Sequence, residues 1–236
     1  TPQVGLSAAE FVELTNTSSN IVDLNNWTFS DASTTQILSA YSLQPDSFVI
    51  ICSNTNAPLL TPFGHVIGLS SMPSLNNTGD DLTLRDNNGQ VINHVTYTMN
   101  FYHDAAKQNG GYTMEMIDVN NPCGGENNWH ASMDASGGTP GKINSVAAIN
   151  PDVTAPLISN AYVISPDSVQ ITFSEPMDSL SLSNIANFHI DNGIGNPSSV
   201  FPLAPDFSSV ILIFSSMLQP NILYSVTVNN VTDCSH

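Results

Sequence analysis

The stretch that decides the fold is EFVELTNTSSNIVDLNNWTFSD, residues 10–31. It holds two short apolar runs, FVEL and WTF, on either side of the polar segment NTSSN. Trp27 and Phe29 alternate with Thr28 and Ser30, as the two faces of a half-buried strand do. The stretch therefore predicts two core strands of a β-sheet with an exposed turn, NTSSN, between them.

The same alternation recurs along the chain, whereas no helical period persists for three turns. In VQITFSEP, Val169, Ile171 and Phe173 alternate with polar residues, which indicates a half-buried strand. Similar runs are FVIICS (48–53), DLTLRD (81–86), QVINHVTYT (90–98), YTMEMID (112–118), SSVILIF (208–214) and LYSVTVNNV (223–231). Asn88-Gly89 predicts a tight antiparallel hairpin. Short strands without helical crossovers predict an all-β fold made of β-sandwiches.

The segment ASGGTPGKINSVAAINPDVTAP (135–156) collects Gly, Pro and small residues between two strand-rich regions. Such a composition is typical of a linker. The sequence therefore predicts two domains, 1–147 and 156–236, joined by a linker at 148–155.

The charge is one-sided, because 20 acidic residues stand against three basic ones, Arg85, Lys107 and Lys142. Nucleic acids and anionic membranes are bound through basic patches, which this chain does not have. No run approaches the ~20 apolar residues of a membrane helix, and the first residues lack the pattern of a signal peptide. We therefore expect no nucleic-acid partner and no direct membrane insertion, and we expect the chain to be part of a longer protein.

Four blocks together resemble the bacterial type of lamin tail domain over residues 9–145: EFVELTNTSSNIVDLNNWTFSD, GDDLTLRDNNGQVINHVTY, GYTMEMID and NNWHASMDASGGTPGKINS. The resemblance implies an immunoglobulin-like β-sandwich in a secreted or surface protein. Members of that family usually begin with another strand just before the position of Thr1. An unpaired edge is therefore expected there, and with it strand-mediated dimers.

The second half resembles the bacterial Ig-like repeats of surface-layer and adhesin-type proteins, and FSEPMD (173–178) is its most specific block. The resemblance implies a second immunoglobulin-like sandwich in tandem with the first. Members often continue after the VTD segment with a Gly-Asn turn and a last strand. Because the sequence reads VTDCSH here, we expect this domain to lack that strand.

Catalytic motifs are missing from the sequence: it contains no G-x-S-x-G, H-E-x-x-H, C-x-x-C or P-loop. Glu10 and Glu13 are the carboxylates of the opening stretch, and the sequence identifies no catalytic partner for either. His94 lies within a predicted strand, where a histidine is usually solvated or hydrogen-bonded. The pair His103-Asp104 offers too few ligands for a metal site. We therefore predict a protein that is not an enzyme.

Calcium is the one cofactor that the sequence leaves open. Oxygen-rich loops contain Asp80, Asp81, Asp86 and Asp118, which are weak candidates for Ca²⁺ ligands. Asp and Asn are also ordinary turn-forming residues, so structural turns are the alternative.

The sequence also supports one prediction about an aromatic residue and one about the cysteines. Trp129 lies in a loop-like segment, so it is the aromatic residue expected to face a ligand. The sequence contains three cysteines, Cys52, Cys123 and Cys234. One disulfide bond between Cys52 and Cys123 is favoured, and three unpaired cysteines are the alternative.

Together these observations predict a non-catalytic structural or interaction module of a secreted or cell-surface bacterial protein, acting as a spacer, adhesion or tethering unit. A glycan-binding accessory module of a secreted hydrolase and a calcium-stabilised adhesin segment are the alternatives. Expected partners are other domains of the same protein and a protein or glycan ligand.

Overall fold

The computed structural model describes residues 4–234, so the predictions made for the ends of the chain at Thr1 and His236 lie outside it. In chain order the strands are β1 Phe11–Thr15, β2 Val22–Asp23, β3 Thr28–Ser30, β4 Thr35–Ile37, β5 Ser42–Leu43, β6 Phe48–Ser53, β7 Val66–Leu69, β8 Gly79–Arg85, β9 Val91–Thr98, β10 Met114–Met116, β11 Trp129–Ala131, β12 Ile158–Ser165, β13 Ser168–Phe173, β14 Phe188–Ile190, β15 Ser199–Pro202, β16 Ser209–Ile213 and β17 Val226–Val228. The helices are α1 Ala57–Leu60 and α2 Ser179–Leu182, and 3₁₀ turns lie at Thr61–Phe63, Met99–Tyr102, Gly125–Asn128 and Ile185–Asn187.

The chain divides into two compact units, the first ending at Pro151 and the second beginning at Asp152. This division falls within the predicted linker at 148–155. No helix in the described part of the chain has the length and hydrophobicity that a membrane crossing requires.

The first unit contains two principal sheets, with strand orders β1-β6-β7 and β4-β3-β8-β9. Strand β6 is the centre of the first sheet, and Val49 and Ile51 on one of its faces are fully buried in the main core. Leu82 and Leu84 of β8 contribute to the same core from the second sheet. The paired sheets confirm the predicted all-β fold.

The opening stretch forms three strands instead of two, because β2 lies between β1 and β3. Val12 and Leu14 pack against the main core, whereas Phe11 on the opposite face packs against a smaller cluster with Leu60. Phe29 is buried, as the alternation predicted. The predicted exposed turn NTSSN is wrong at its first residue, since Asn16 is buried and its side-chain amide donates to the carbonyl of Leu43 at 3.0 Å.

The predicted hairpin is confirmed as an antiparallel pair of β8 and β9, but its turn is longer than a two-residue loop. Asp86 begins the turn and accepts hydrogen bonds from the backbone N–H groups of Asn88 and Gln90. Gly89 has φ of 82°, a conformation that glycine adopts without strain. A register shift between Leu84 and Arg85 accompanies the longer turn.

The second unit contains a four-stranded sheet, β12-β13-β16-β15, and a smaller pair, β14-β17. Ile171, Phe188 and Leu212 form its fully buried core. VQITF lies within β13, where the buried residues alternate with half-buried ones as predicted. Strand β12 is an exposed edge strand, and register shifts at both of its ends interrupt pairing with β13.

Candidate functional site

The first unit contains an open cleft with a volume of about 1180 Å³. Strand β1 and the residues before it form one wall, and β10 together with the segment 137–149 forms another. Leu82, Val95 and Tyr97 of the β8-β9 pair also line it. Small-molecule pockets usually measure about 300–1,000 Å³, so this cleft has room for a larger ligand.

One wall of the cleft is a free strand edge, because β1 is the outer strand of the sheet β1-β6-β7. The backbone N–H of Asn16 donates to the carbonyl of Ser47, and the carbonyl of Asn16 accepts from the N–H of Asp46. These bonds establish which alternate residues of β1 direct their backbone groups toward β6. In an antiparallel pair the backbone groups of alternate residues point away from the partner. Those of Phe11, Glu13 and Thr15 therefore point away from β6.

The opposite strand supports this assignment of the edge. Ile50, which lies directly across from Glu13, donates its N–H to the carbonyl of His65 on the β7 side. Among residues 4–234, no hydrogen bond outside the strand ladders involves the backbone N–H or C=O of Phe11, Glu13 or Thr15. The edge is thus available for pairing.

The side chain of Glu13 is the first of two carboxylates that the fold brings together. Its carboxylate accepts a hydrogen bond from the backbone N–H of Gly141. Burial raises the pKa of Glu13 to about 7, the N–H of Gly141 opposes this shift, and the negative charge of Glu115 adds to it. Glu13 therefore retains its proton well above the usual pH range of a carboxyl group.

Glu115 of β10 is the second carboxylate, and only 4% of its surface is exposed. It accepts hydrogen bonds from the hydroxyl of Thr139 at 2.8 Å, and from the backbone N–H and the hydroxyl of Ser145 at 2.7 and 2.6 Å. These donors satisfy its oxygens inside the protein. Sequence reasoning read the run YTMEMID as a strand only and missed Glu115.

The lining of the cleft is acidic and apolar. Its charged residues are Glu10, Glu13, Asp46, Glu115 and Asp118, and no Lys or Arg lines it within the described residues. Sequence reasoning could find Glu10 and Glu13 in the opening stretch, but their neighbours come from residues about 100 positions later. The chemistry of such a cleft favours a cation.

Trp129 lies at the start of β11 and is not in a loop, so its predicted local structure is wrong. It packs against the main core, and its ring centroid lies 6.3 Å from that of Phe101. The half-buried side chain also lines the cleft, where it contributes apolar surface. Its role toward a ligand stays a prediction.

Asp80 and Asp81 serve local hydrogen bonds at the start of β8. Asp80 accepts from the side-chain amide of Asn76 at 2.7 Å. Asp81 is 3.0 Å from Nε2 of His94 and accepts from the hydroxyl of Thr96. The prediction that His94 is satisfied by a hydrogen bond is confirmed.

Asp86 and Asp118 also act as turn residues. The backbone N–H groups of Asn150 and Asn120 donate to Asp118 and lower its pKa. The structure does not assemble Asp80, Asp81, Asp86 and Asp118 into one site. His103 and Asp104 likewise remain apart from any larger set of ligands, and Asp104 instead lies 3.7 Å from Nζ of Lys107.

Three other carboxylates do converge, in the second unit. Oxygens of Asp152, Glu175 and Asp233 lie within 4.8 Å of one another, the one such set of three among residues 4–234. Burial, followed by the negative charges of Asp152 and Asp233, raises the pKa of Glu175. These oxygens could hold a divalent cation. Sequence reasoning missed them, because Glu175 in FSEPMD is far along the chain from both partners.

The predicted pairing of Cys52 with Cys123 is wrong. Cys52 is a free thiol and Cys123 is disulfide-bonded. The side chain of Cys52 is fully buried in an apolar cluster with Phe11 and Leu60, which encloses its sulfur. Burial also raises the pKa of this thiol.

The fold and its sites define an all-β protein of two sandwich units. Comparison with known families gives each unit a class: residues 2–99 match the model of the Lamin Tail Domain, and residues 146–236 match that of a Bacterial Ig-like domain. The two matches follow one another in this order, and both models describe structural domain families rather than enzyme families. No curated protein and no solved structure matches the chain.

The cleft joins a matched region to an unmatched one. Strand β1 lies within the lamin tail match, whereas Glu115 and Gly141 lie between the two matched ranges. The two carboxylates therefore come together only through the stretch that the family model leaves out.

Proposed function

We propose that the chain is a non-catalytic interaction module of a secreted or cell-surface bacterial protein, in which it tethers that protein to a partner. The observation that carries this proposal is the open cleft in the first domain, which is bordered by a free strand edge. The match to bacterial Ig-like domains supports an extracellular location, because such domains are often extracellular.

An antibody against the chain tests the location. Intact cells of the producing bacterium should be labelled, and proteinase treatment of intact cells should remove the label. Labelling that requires lysis of the cells would contradict the extracellular placement.

Competition tests the tethering role. An excess of the purified chain should displace the intact cells from the surface to which they attach, because it occupies the same partner. The control is a bovine serum albumin solution of equal concentration. Attachment that stays constant over the whole concentration range would contradict the tethering role.

A second candidate function is a calcium-stabilised segment, which the convergence of Asp152, Glu175 and Asp233 favours. Ca²⁺ takes six to eight oxygens, so the three carboxylates would supply part of its coordination shell and water the rest. A bound cation would also offset the repulsion from Asp152 and Asp233, which adds to burial in raising the pKa of Glu175. This function would concern the stability of the second domain and is compatible with tethering by the first.

A further inference from the structure

We propose that the cleft of the first domain binds an extended, positively charged polypeptide strand, which pairs with the free edge of β1 and places a Lys or Arg side chain beside Glu13 and Glu115. This inference rests on the proposed interaction function and names the class of partner.

The first argument is the backbone. Phe11, Glu13 and Thr15 each direct one N–H donor and one C=O acceptor away from β6. Such a row of unpaired groups is a template for strand addition, in which main-chain hydrogen bonds provide affinity. Strand β1 has five residues, which at about 3.3 Å per residue gives a pairing edge of roughly 17 Å.

The second argument is the shape and polarity of the cleft. Its volume exceeds the usual range for small-molecule pockets, and the apolar side chains of Leu82, Val95 and Trp129 line it together with polar ones. A strand places successive side chains on opposite faces. A bound strand in which apolar and polar residues alternate would therefore cover these apolar side chains with its apolar face, and its polar face would point away from them.

The third argument is charge. The lining contains Glu13 and Glu115 and no basic side chain among the described residues. An ammonium or guanidinium group from the occupant would neutralise the two carboxylates, which otherwise repel each other. Charge complementarity of this kind selects among partners by penalising acidic ones.

A second copy of this chain fits the cleft poorly. Its formal net charge is −17 with three basic residues in total. Lys107 is held by the carbonyl of Ser132 at 2.7 Å, and Arg85 bonds to the carbonyl of Gly89. The third basic residue, Lys142, is exposed and lies in the segment 137–149, which itself forms a wall of the cleft. A different polypeptide is therefore the proposed occupant. The strand-mediated dimer expected from the sequence is the alternative that the experiment must distinguish from it.

Binding of a designed peptide to the full chain tests the proposal. The peptide alternates Val and Thr around a central Lys and carries a fluorescent label. At about pH 8, where Glu13 is mostly ionised, fluorescence anisotropy should show binding. A version methylated at alternate backbone nitrogens should bind at least about tenfold more weakly, because it cannot pair with the edge. A version with Glu in place of Lys should not bind.

Variants of the chain and amide hydrogen exchange distinguish the contribution of the Glu13 charge to binding from that of the β1 edge. Glu13→Gln should weaken binding by about tenfold, whereas Glu126→Gln, which removes a carboxylate outside the cleft, should leave it unchanged. Amide hydrogen exchange provides a readout that needs no variant: the N–H groups of Phe11 and Glu13 should become protected when the peptide binds. Val12, whose N–H already pairs with β6, should not change.

Several results would overturn the proposal: the absence of binding, equal binding of the methylated or acidic peptide, or unchanged exchange at Phe11 and Glu13. A dimer in sedimentation that Thr15→Pro abolishes would assign the edge to a second copy instead, since this proline removes only an outward N–H. Cell labelling and competition do not depend on these results, so the proposed function can survive a failure here.

Discussion

Gly141 donates its backbone N–H to the carboxylate of Glu13, although 128 residues separate the two in sequence. This bond attaches the segment 137–149 to β1 and closes one side of the cleft. The N–H of Gly141 can donate to the side chain of Glu13 whether that carboxyl group is neutral or ionised.

Replacing Glu13 by Gln should change how stability depends on pH. Because the pKa rises from 4.5 to about 7 on folding, the folded protein holds a proton that the unfolded chain releases. The stabilisation by the neutral form is complete below about pH 4.5 and is lost as the pH rises through about 7. The full shift is worth up to about 3 kcal/mol, before allowance for solvent screening of a half-buried group.

Urea unfolding of the wild type and of Glu13→Gln at about pH 5 and pH 8 measures this difference. The variant keeps an oxygen to accept from Gly141, so it should gain stability relative to the wild type at the higher pH. Glu126→Gln is the matched control. A constant difference between the wild type and Glu13→Gln across the range would show that Glu13 titrates normally.

Asn128 is fully buried, and its side chain connects three segments. Its amide donates to the carbonyls of Asp118 at 2.8 Å and Asn121 at 2.6 Å, and its oxygen accepts from the N–H of Asp118 and the amide of Asn150. Asn128→Ala leaves these groups without partners and should cost about 3 kcal/mol in the free energy of unfolding. Chemical denaturation measures it, and exposed Asn127→Ala should change stability by less than about 0.5 kcal/mol. Equal effects of the two variants would contradict the buried network.

Cys52 should react slowly with an alkylating reagent in the native protein, because its thiol is buried and its pKa is raised. Unfolding without a reductant should expose this free thiol and make it react fast. Peptide mapping by mass spectrometry identifies the alkylated cysteine. Rapid labelling of the native protein, or no labelling of Cys52 after unfolding, would contradict the structure.

Calcium should raise the melting temperature of the protein, and EDTA should reverse the effect, if Asp152, Glu175 and Asp233 bind the ion. At 100 times Kd a ligand selective for the native state adds about 2.7 kcal/mol of stability. Glu175→Gln should abolish the response and, by relieving repulsion, stabilise the calcium-free protein. Asp206→Asn, an exposed carboxylate elsewhere in the second domain, is the control. Melting curves that superimpose with and without EDTA would remove the calcium proposal.

The sequence predicted local elements best where a single face is buried. Alternation in VQITF located β13, and Asn88-Gly89 located the β8-β9 hairpin, whereas β6, which is buried on both faces, was located by the apolar run FVIICS. The short strand β2 has two residues and leaves no periodic signal. Asn16 was misread as exposed because its hydrogen bond to Leu43 depends on the fold and not on its polar neighbours.

Most of the candidate sites could not be predicted from the sequence. Glu13 was visible in the opening stretch, but the two groups that set its chemistry, Gly141 and Glu115, are more than 100 residues away. The Cys52–Cys123 bond was predicted because both residues lie in the first half of the chain, whereas the enclosure of Cys52 by Phe11 depends on strand pairing. Of the four candidate calcium ligands, Asp86 and Asp118 lie in turns, whereas Asp80 and Asp81 lie within β8, and calcium binding by any of them stays a prediction.

The position of Lys142 has a practical consequence for measuring any partner of the first domain. This lysine is exposed and directly follows Gly141, whereas the amine of Lys107 is bound to the carbonyl of Ser132. Of these two lysines, amine coupling would therefore favour Lys142, which would fix the protein to the sensor surface beside Glu13. Attachment through a group outside the segment 137–149 would avoid fixing the protein to the surface beside Glu13.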